Sequence, residues 1–310
     1  RCLAVPAHCR GEILHNIQAE MSLTSKCRML LASPAGRLLP DGLYLRAKYR
    51  LKMGRRLDLR HPRSYNEKLQ WLKLHDRNPL YHTLVDKAGV KAHVASLIGE
   101  EYTVPTLGVW DRPVDIDWDS LPQRFVLKCT HDSGSAILCR DKAAFDIPAA
   151  CRSLAAALKK DFYPFDREWA YKGLKPRIIA EAYLGDNVPD YKFFCFDGRP
   201  RLMFIASERG RRDTETRFDF YDMEGRHLDL RNGHPNADTP PALPQRFELM
   251  QTLAARLSAG LPQVRIDFYE LDGKVYFGEY TFYHWGGMVP FEPESFDLEL
   301  GSYVKLEGIK

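Results

Sequence analysis

The spacing of apolar residues is helical up to about residue 99. The clearest helix start is Ser64-Tyr65-Asn66-Glu67, a capping box in which the serine hydroxyl and the glutamate carboxylate satisfy each other's backbone donors. A second helix is predicted from Asn78-Pro79, since proline fits the first helical position. A third is predicted to be capped by Asp86 and to end at Gly99.

After residue 122 the apolar residues occur in short runs that are typical of strands. Runs at 125–129 and 136–139 predict a hairpin, and further strands are predicted at 178–184, 191–196, 202–206 and 218–221. Helices are predicted at 149–160 and 247–257, followed by a last hairpin at 264–282. The stretches 104–105 and 111–122 are predicted to be connections. This order predicts an α+β fold with several antiparallel hairpins.

The last hairpin carries polar side chains at alternating positions. We expect Leu271-Asp272-Gly273 to form a three-residue loop, which would pair residue 265 with 279 and residue 267 with 277. A two-residue Asp-Gly turn would divide the polar set between the two faces of the sheet. Strand alternation with the longer loop places four polar residues on one face: Arg265, Asp267, Glu279 and Thr281.

These four residues permit two interpretations. Two carboxylates and a neutral oxygen suit Mg²⁺, and an adjacent guanidinium suits a reaction that develops negative charge on a phosphoryl group. The alternative is an Arg–Glu cross-strand pair on a half-exposed sheet, which contributes little stability. The spacing alone does not separate them.

Four further residues are candidates for binding a nucleotide. Lys128 ends an apolar strand before a loop that contains Gly134, so it either reaches phosphates or extends into water. Glu181 either accepts from an adenine amine or faces solvent. Asp190 and Lys192 share one strand face, where they suit a ribose hydroxyl and a phosphate or form a salt bridge.

Composition restricts the class of protein. The 310 residues are 45% hydrophobic and 28% charged, with a formal net charge of +4, so no nucleic-acid partner is expected. The seven cysteines form no CxxC pair, which favours a cytoplasmic location without disulfides or zinc. Dinucleotide, Walker and GxSxG motifs are absent. Residues 1–26 lack the apolar core of a signal peptide, leave Met21 open as a start of translation, and suggest no function.

Residues 29–63 form the most basic segment of the chain. Its charged side chains, among them Arg46, Lys48, Arg50 and Arg63, alternate with Leu and Tyr. The segment is either a solvated helical face or a surface patch for an acidic glycan, a lipid headgroup of a membrane or a nucleic acid.

Several of these elements together resemble a known family. The run 64–77, the pair Asp86-Lys87, and the runs 125–128, 190–194 and 265–268 are similar to signatures of the TupA-like (teichuronopeptide biosynthesis) branch of the ATP-grasp superfamily. The similarity extends from about Leu38 to about Leu306. It implies two α+β subdomains that hold ATP between antiparallel sheets, after a basic helical N-terminal region. The implied boundaries are 1–63 for the basic extension, 64–122 for a helical lead-in, 123–184 for the small subdomain and 185–310 for the C-terminal subdomain.

The resemblance also implies roles for single residues. Asp190 corresponds to a ribose acid, and Thr281 stands where the third metal ligand is usually Asn. The residues implied to bind the nucleotide are Lys87, Lys128, Ser133, Gly134, Glu181, Tyr183, Leu184 and Asp190. The residues implied to act in catalysis are Arg265 and Lys192, and those implied to hold magnesium are Asp267, Glu279 and Thr281.

The implied activity is an ADP-forming carboxylate–amine ligase with ATP and Mg²⁺ as cofactors. It would form an amide through an acyl phosphate, in bacterial surface-polysaccharide biosynthesis. Its partners would be a small-molecule or glycan carboxylate and an amine. Three alternatives stay open: a kinase that phosphorylates a hydroxyl, a protein associated with glycosyl transfer, and an ATP-sensing module without catalytic activity.

Overall fold

A computed structural model describes residues 25, 27, 29–31, 33–186, 188–208 and 215–309. The chain divides into two compact units, residues 1–58 and residues 59–310, called here the N-terminal unit and the main unit. Met21 and most of residues 1–26 lie outside the described residues. Within that description, no helix is both long enough and apolar enough to cross a membrane.

Both units contain helices. The described part of the N-terminal unit contains α1, Pro34–Arg37, and α2, Asp41–Met53. The described helices of the main unit are α3 Tyr65–His75, α4 Leu80–Val85, α5 Val90–Ile98, α6 Ile147–Ala157, α7 Tyr163–Asp166, α8 Phe247–Ser258 and α9 Glu294–Tyr303. Short 3-10 helices lie at Glu100–Tyr102, Pro113–Asp115, Lys142–Ala144, Trp169–Tyr171 and His284–Gly287.

The capping box predicted at α3 is confirmed. The Ser64 hydroxyl accepts from the Glu67 backbone N–H at 3.3 Å, and the Glu67 carboxylate accepts from the Ser64 N–H at 3.1 Å. Asp86 caps the turn before α5 by accepting from the N–H groups of Ala88 and Gly89. The three helices predicted before residue 99 are therefore present.

The main unit contains an antiparallel four-stranded sheet with strand order β1-β4-β2-β3. Its strands are β1 Thr106–Trp110, β2 Phe125–Cys129, β3 Ile137–Cys139 and β4 Ile178–Ala182. Phe125, Leu127 and Ile178 pack with Leu154 of α6 in one core. The predicted β2–β3 hairpin is confirmed. Strand β1 was not predicted, because it is a short edge strand between two connections.

The main unit also contains a six-stranded antiparallel sheet with strand order β11-β10-β5-β6-β7-β8. Its strands are β5 Asp190–Phe196, β6 Arg199–Ser207, β7 Arg217–Tyr221, β8 His227–Leu228, β10 Val264–Leu271 and β11 Lys274–Thr281. A separate ladder pairs β9, Arg231–Asn232, with β12, Phe291–Glu292. Helix α8 packs against β5, β6 and β10, and every residue of β5 is buried.

The pairing predicted for the β10–β11 hairpin is wrong. The turn has two residues, Asp272 and Gly273, both with left-handed φ angles of 51° and 72°. Arg265 pairs with Thr281 and Asp267 with Glu279. A bulge between the turn and these pairs restores the shared polar face. Gly278 is the extra residue, and a side chain there would begin 3.1 Å from the Asp267 carbonyl oxygen.

Helix α9 was not predicted, and it packs against α3. The Asp297 carboxylate accepts from the Asn66 backbone N–H at 2.9 Å. Gly301 lies so close to α3 that an added Cβ would stand 2.2 Å from the Arg63 carbonyl oxygen. These contacts hold α9 against the start of α3.

Candidate active site

Three lysines surround Glu181 on the four-stranded sheet, and Lys87, Lys91, Lys128 and Glu181 are called here the lysine cluster. Strand pairing sets Glu181 of β4 beside β2, so Lys128 reaches its Oε2 at 2.5 Å, while Lys91 of α5 reaches Oε1 at 2.6 Å. Burial opposes ionisation of Glu181, but the two lysines outweigh it and hold its pKa below the usual range. Sequence reasoning missed Lys91. Lys91 follows Lys87 by four residues, about one helical turn, and this spacing could have indicated that both lysines lie on the same side.

The loop after β2 connects to Lys87. The Lys87 ammonium donates to the backbone carbonyl of Asp132, and burial lowers the pKa of Lys87 although Glu279 opposes this effect. Ser133 and Gly134 are exposed at the loop tip, where Gly134 has a φ of 91°. Ser135 stabilises the loop instead. Its hydroxyl donates to the Asp132 carboxylate at 2.5 Å and accepts from the Cys129 N–H at 2.8 Å.

A buried ion-pair network occupies the six-stranded sheet. Arg265 donates to Asp267 through two bonds of 2.7 Å, from Nε to Oδ1 and from Nη2 to Oδ2. Lys192 of β5 contacts the same carboxylate and pairs with Asp190 at 2.8 Å. Burial would raise the pKa of Asp267, but Arg265 and Lys192 hold it well below its usual range. Asp267 is therefore a fixed buried anion.

Glu279 and Thr281 extend this network toward solvent. Arg265 Nη2 lies 3.3 Å from Glu279 Oε1 and 2.9 Å from the Thr281 hydroxyl. The Glu279 side chain is 45% exposed, whereas that of Asp267 is 1% exposed. The four polar residues of the hairpin thus meet as expected. With Lys192 they are called here the arginine cluster: Arg265, Asp267, Glu279, Thr281 and Lys192.

Two residues that the sequence did not reveal complete the surroundings of Arg265. Its Nη1 lies 2.7 Å from His284 Nδ1, and His284 Nε2 lies 2.8 Å from Asn232 Oδ1. Both residues are buried. His284 follows β11 and Asn232 lies in β9, so their approach depends on tertiary structure and has no signal in local sequence.

A narrow cleft separates the two sheets. It contains a cavity of about 30 Å³, which is lined by residues of both sheets, of α5 and of the segments before and after α5. Thr103 and Phe277 form a backbone bridge beside it. The lining residues are Lys87, Val90, Lys91, Thr103, Val104, Lys128, Glu181, Tyr269, Phe277 and Gly278. A cavity of this size holds on the order of one or two water molecules.

Some residues implied by the resemblance lie outside this cavity. Tyr183 and Leu184 follow β4 and are half-buried, and the Tyr183 ring lies 4.3 Å from the Arg124 guanidinium. Within the described ranges, the cavity lining includes neither of them, nor Ser133, Gly134 or Asp190. Their binding roles remain predictions.

The arginine cluster offers oxygen atoms of the kind that Mg²⁺ prefers. Among residues 33–186, 188–208 and 215–309 and the few described before them, no group of three His, Cys, Asp or Glu side chains could hold a metal ion. Mg²⁺ is usually held by one or two carboxylates and by substrate phosphates. Glu279, which is 45% exposed, and the Thr281 hydroxyl fit such a partial ligand set. Both oxygens of Asp267 already accept from Arg265 and Lys192, so Asp267 would have to exchange one of these contacts to bind the metal.

The family of the chain follows from a match to a family model. Residues 67–305 match the TupA-like ATPgrasp model, so the chain belongs to this family and has the ATP-grasp fold. No curated protein matches the chain.

Solved structures include distant ligases. D-alanine–D-alanine ligase from Bacillus anthracis, complexed with ATP, is 16% identical with a TM-score of 0.40, over 70% of this chain and 61% of that chain. L-amino acid ligase from Bacillus licheniformis is 13% identical with a TM-score of 0.42, over 66% and 44% of the two chains. This chain therefore spans less than two thirds of either ligase.

Proposed function

We propose that the protein is an ADP-forming carboxylate–amine ligase that uses ATP. The observation that carries the proposal is the arrangement around Arg265, a buried guanidinium held by Asp267 on one edge and directed toward the half-exposed Glu279 on another. A fixed cation beside solvent-accessible oxygen ligands suits stabilisation of a transferring phosphoryl group. Membership in an ATP-grasp family supports the same activity.

The lysine cluster would bind the nucleotide. Lys87, Lys91 and Lys128 carry more positive charge than Glu181 neutralises, which favours a polyphosphate. Lys128 and Lys91 already occupy both oxygens of Glu181, so an adenine amine would share or replace these contacts. A pocket for a nucleotide measures several hundred cubic ångströms, roughly tenfold more than the cavity present. The two sheets would therefore separate when ATP enters.

The proposed reaction proceeds in two steps. A carboxylate oxygen attacks the γ-phosphorus of ATP, the bond to the β-phosphate oxygen breaks, and an acyl phosphate and ADP form. An amine nitrogen then attacks the acyl carbon, the C–O bond breaks, and an amide, inorganic phosphate and a proton result. Arg265 would stabilise charge on the transferring phosphoryl group, and Lys192 would keep Asp267 ionised. Mg²⁺, held by Asp267, Glu279 and Thr281, would neutralise phosphate charge when bound.

The setting proposed for the reaction is cytoplasmic biosynthesis or modification of a surface polysaccharide. A sugar acid or an amino acid would supply the carboxylate. The N-terminal unit would associate with an anionic glycan or an anionic membrane through exposed basic side chains, namely Arg46, Arg50, Lys52 and Arg56. The exposure of these four basic side chains supports that association.

An ADP-release screen tests the proposed function. Sugar acids and amino acids are supplied in turn with ATP, Mg²⁺ and a set of amines, and products are identified by mass spectrometry. We expect ADP release that requires a carboxylate, together with a product of amide mass. A phosphorylated hydroxyl product would instead identify a kinase, and dependence on a sugar nucleotide without ATP would favour a role in glycosyl transfer.

A further inference from the structure

The guanidinium of Arg265 is held on two opposite sides. Nε and Nη2 donate to Asp267, while Nη1 faces His284 Nδ1 at 2.7 Å. A guanidinium is planar and only donates hydrogen bonds, so the nitrogen that faces Nη1 has to accept. His284 must therefore be held in the tautomer in which Nδ1 can accept.

The hydrogen bonds of Asn232 select this tautomer. Its amide nitrogen donates to the backbone carbonyls of Val289 at 3.2 Å and Pro290 at 3.0 Å. The amide orientation is therefore determined, and Oδ1 is the atom that faces His284 Nε2 at 2.8 Å. An amide oxygen accepts, so His284 Nε2 carries the proton and Nδ1 has a free lone pair for Arg265.

The surroundings of His284 agree with this tautomer. His284 is buried, and its ring contacts Phe194 edge-on with ring centres 4.8 Å apart. Burial and the neighbouring Arg265 charge hold the pKa of His284 well below its usual range. The imidazole therefore stays neutral when Arg265 is charged.

We propose that His284 and Asn232 are positioning residues that set the orientation of Arg265 for phosphoryl transfer. The proposal rests on the function proposed above for Arg265. Asn232 selects the tautomer of His284, His284 then holds Nη1, and Asp267 holds the opposite edge. Rotation of the guanidinium plane is thereby prevented, and Nη2 remains directed toward Glu279 and Thr281.

Two substitutions of His284 separate its two nitrogen contacts. His284→Asn keeps an acceptor near the position of Nδ1, while His284→Gln keeps a donor near the position of Nε2 and loses that acceptor. We expect His284→Gln to lower kcat by about 10- to 100-fold, as replacement of supporting residues commonly does, with KM for ATP changed less than about threefold. His284→Asn should retain most of kcat. Equal kcat in both variants and the wild type would overturn the proposal.

Asn232→Leu provides a second variant if substitutions at position 284 impair folding. It removes the acceptor that selects the tautomer, so we expect a fall in kcat similar to that of His284→Gln. His75→Gln, at an exposed histidine of α3, is the matched control and should change neither kcat nor KM. A folded Asn232→Leu protein with wild-type kcat would contradict the role of Asn232.

A measurement without turnover keeps the inference separate from the proposed function. Nitrogen-15 NMR of the full chain at neutral pH should show His284 as the neutral Nε2–H tautomer. In Asn232→Leu the nitrogen-15 chemical shifts of His284 should move away from the values of the pure Nε2–H tautomer. A charged imidazole or an Nδ1–H tautomer in the wild type would overturn the inference. A wild-type protein with the expected tautomer but no carboxylate-dependent ADP release would instead contradict the proposed function.

Discussion

The two sides of the cleft differ in the sign of their excess charge. In the lysine cluster, three lysines accompany one carboxylate. On the six-stranded sheet, two cations, Arg265 and Lys192, accompany three carboxylates. One side therefore favours an anion and the other favours an additional cation. A polyphosphate that carries a divalent metal ion is complementary to both.

The two sides also differ in burial. Arg265 and Asp267 are buried. The three lysines of the lysine cluster are half-buried, and Glu279 is 45% exposed. Buried paired charges depend on each other for stability, while partly exposed charges are solvated by water when a partner is lost. Substitution of Asp267 should therefore lower both activity and stability. Substitution of Glu279 or Lys128 should lower activity or ATP affinity with little change in stability.

The largest effect is expected for Asp267→Asn. This change leaves the charges of Arg265 and Lys192 without their shared carboxylate, so it should abolish ATP turnover and lower the free energy of unfolding by about 3–5 kcal/mol. Urea denaturation and ADP release measure the two effects. Asp272→Asn removes the same charge at the exposed turn of the same hairpin and serves as the control. Unchanged turnover in Asp267→Asn would place the metal site elsewhere.

Glu279→Gln should abolish turnover with little change in stability. The substitution preserves shape and removes a charge that is about half exposed, so the free energy of unfolding should change by about 0.5 kcal/mol or less. The same two assays apply. A loss of stability as large as that of Asp267→Asn would show that the two carboxylates do not differ as the structure indicates.

Lys128→Ala should weaken ATP binding without abolishing turnover. Hydrogen bonds to charged groups contribute about 1.5–3 kcal/mol, so we expect the Kd for ATP in calorimetry to rise about tenfold or more. Lys175→Ala is the matched control, because Lys175 forms an exposed ion pair with Asp111 at 2.7 Å. Equal ATP affinity in Lys128→Ala and the wild type would limit the role of Lys128 to its ion pair with Glu181.

The smallest effect on turnover is expected for the basic segment. Replacement of Arg46, Arg50, Arg56 and Arg63, all exposed, should leave ADP release from small substrates nearly unchanged. Association with an acidic polysaccharide or with anionic vesicles should weaken, more at low salt than at high salt, because screening limits such charges to about 10 Å at 0.1 M. A folded variant that loses basal turnover would assign the segment to the active site.

Local patterns predicted much of this fold. The capping box at Ser64 and the β2–β3 hairpin depend on residues close in sequence, and both were predicted. The register between β10 and β11 was not predicted. The bulge at Gly278 compensates for the tighter turn, so the alternation of polar residues is the same as in the predicted register. Alternation fixes which residues share a face, but several registers produce the same alternation.

The candidate site was predicted in part for the same reason. Arg265, Asp267 and Glu279 lie within one hairpin, so strand alternation brought them together. Asn232 lies in β9, which contacts β7 and β12, whereas His284 follows β11. The two residues therefore meet only in the folded chain, and no spacing indicates this contact. Candidate catalytic residues within one hairpin can thus have a local signature, whereas the residues proposed to orient them are brought together only by the folded chain.

Transfer of an oxygen isotope tests the central claim most directly. The carboxylate substrate from the ADP-release screen is labelled with ¹⁸O in its carboxyl group and incubated with ATP, Mg²⁺ and the amine. An acyl phosphate requires that one carboxyl oxygen leave with phosphorus, so we expect inorganic phosphate that carries one ¹⁸O atom. Unlabelled phosphate, or a phosphoryl group retained on a product hydroxyl, would contradict the assignment as a carboxylate–amine ligase.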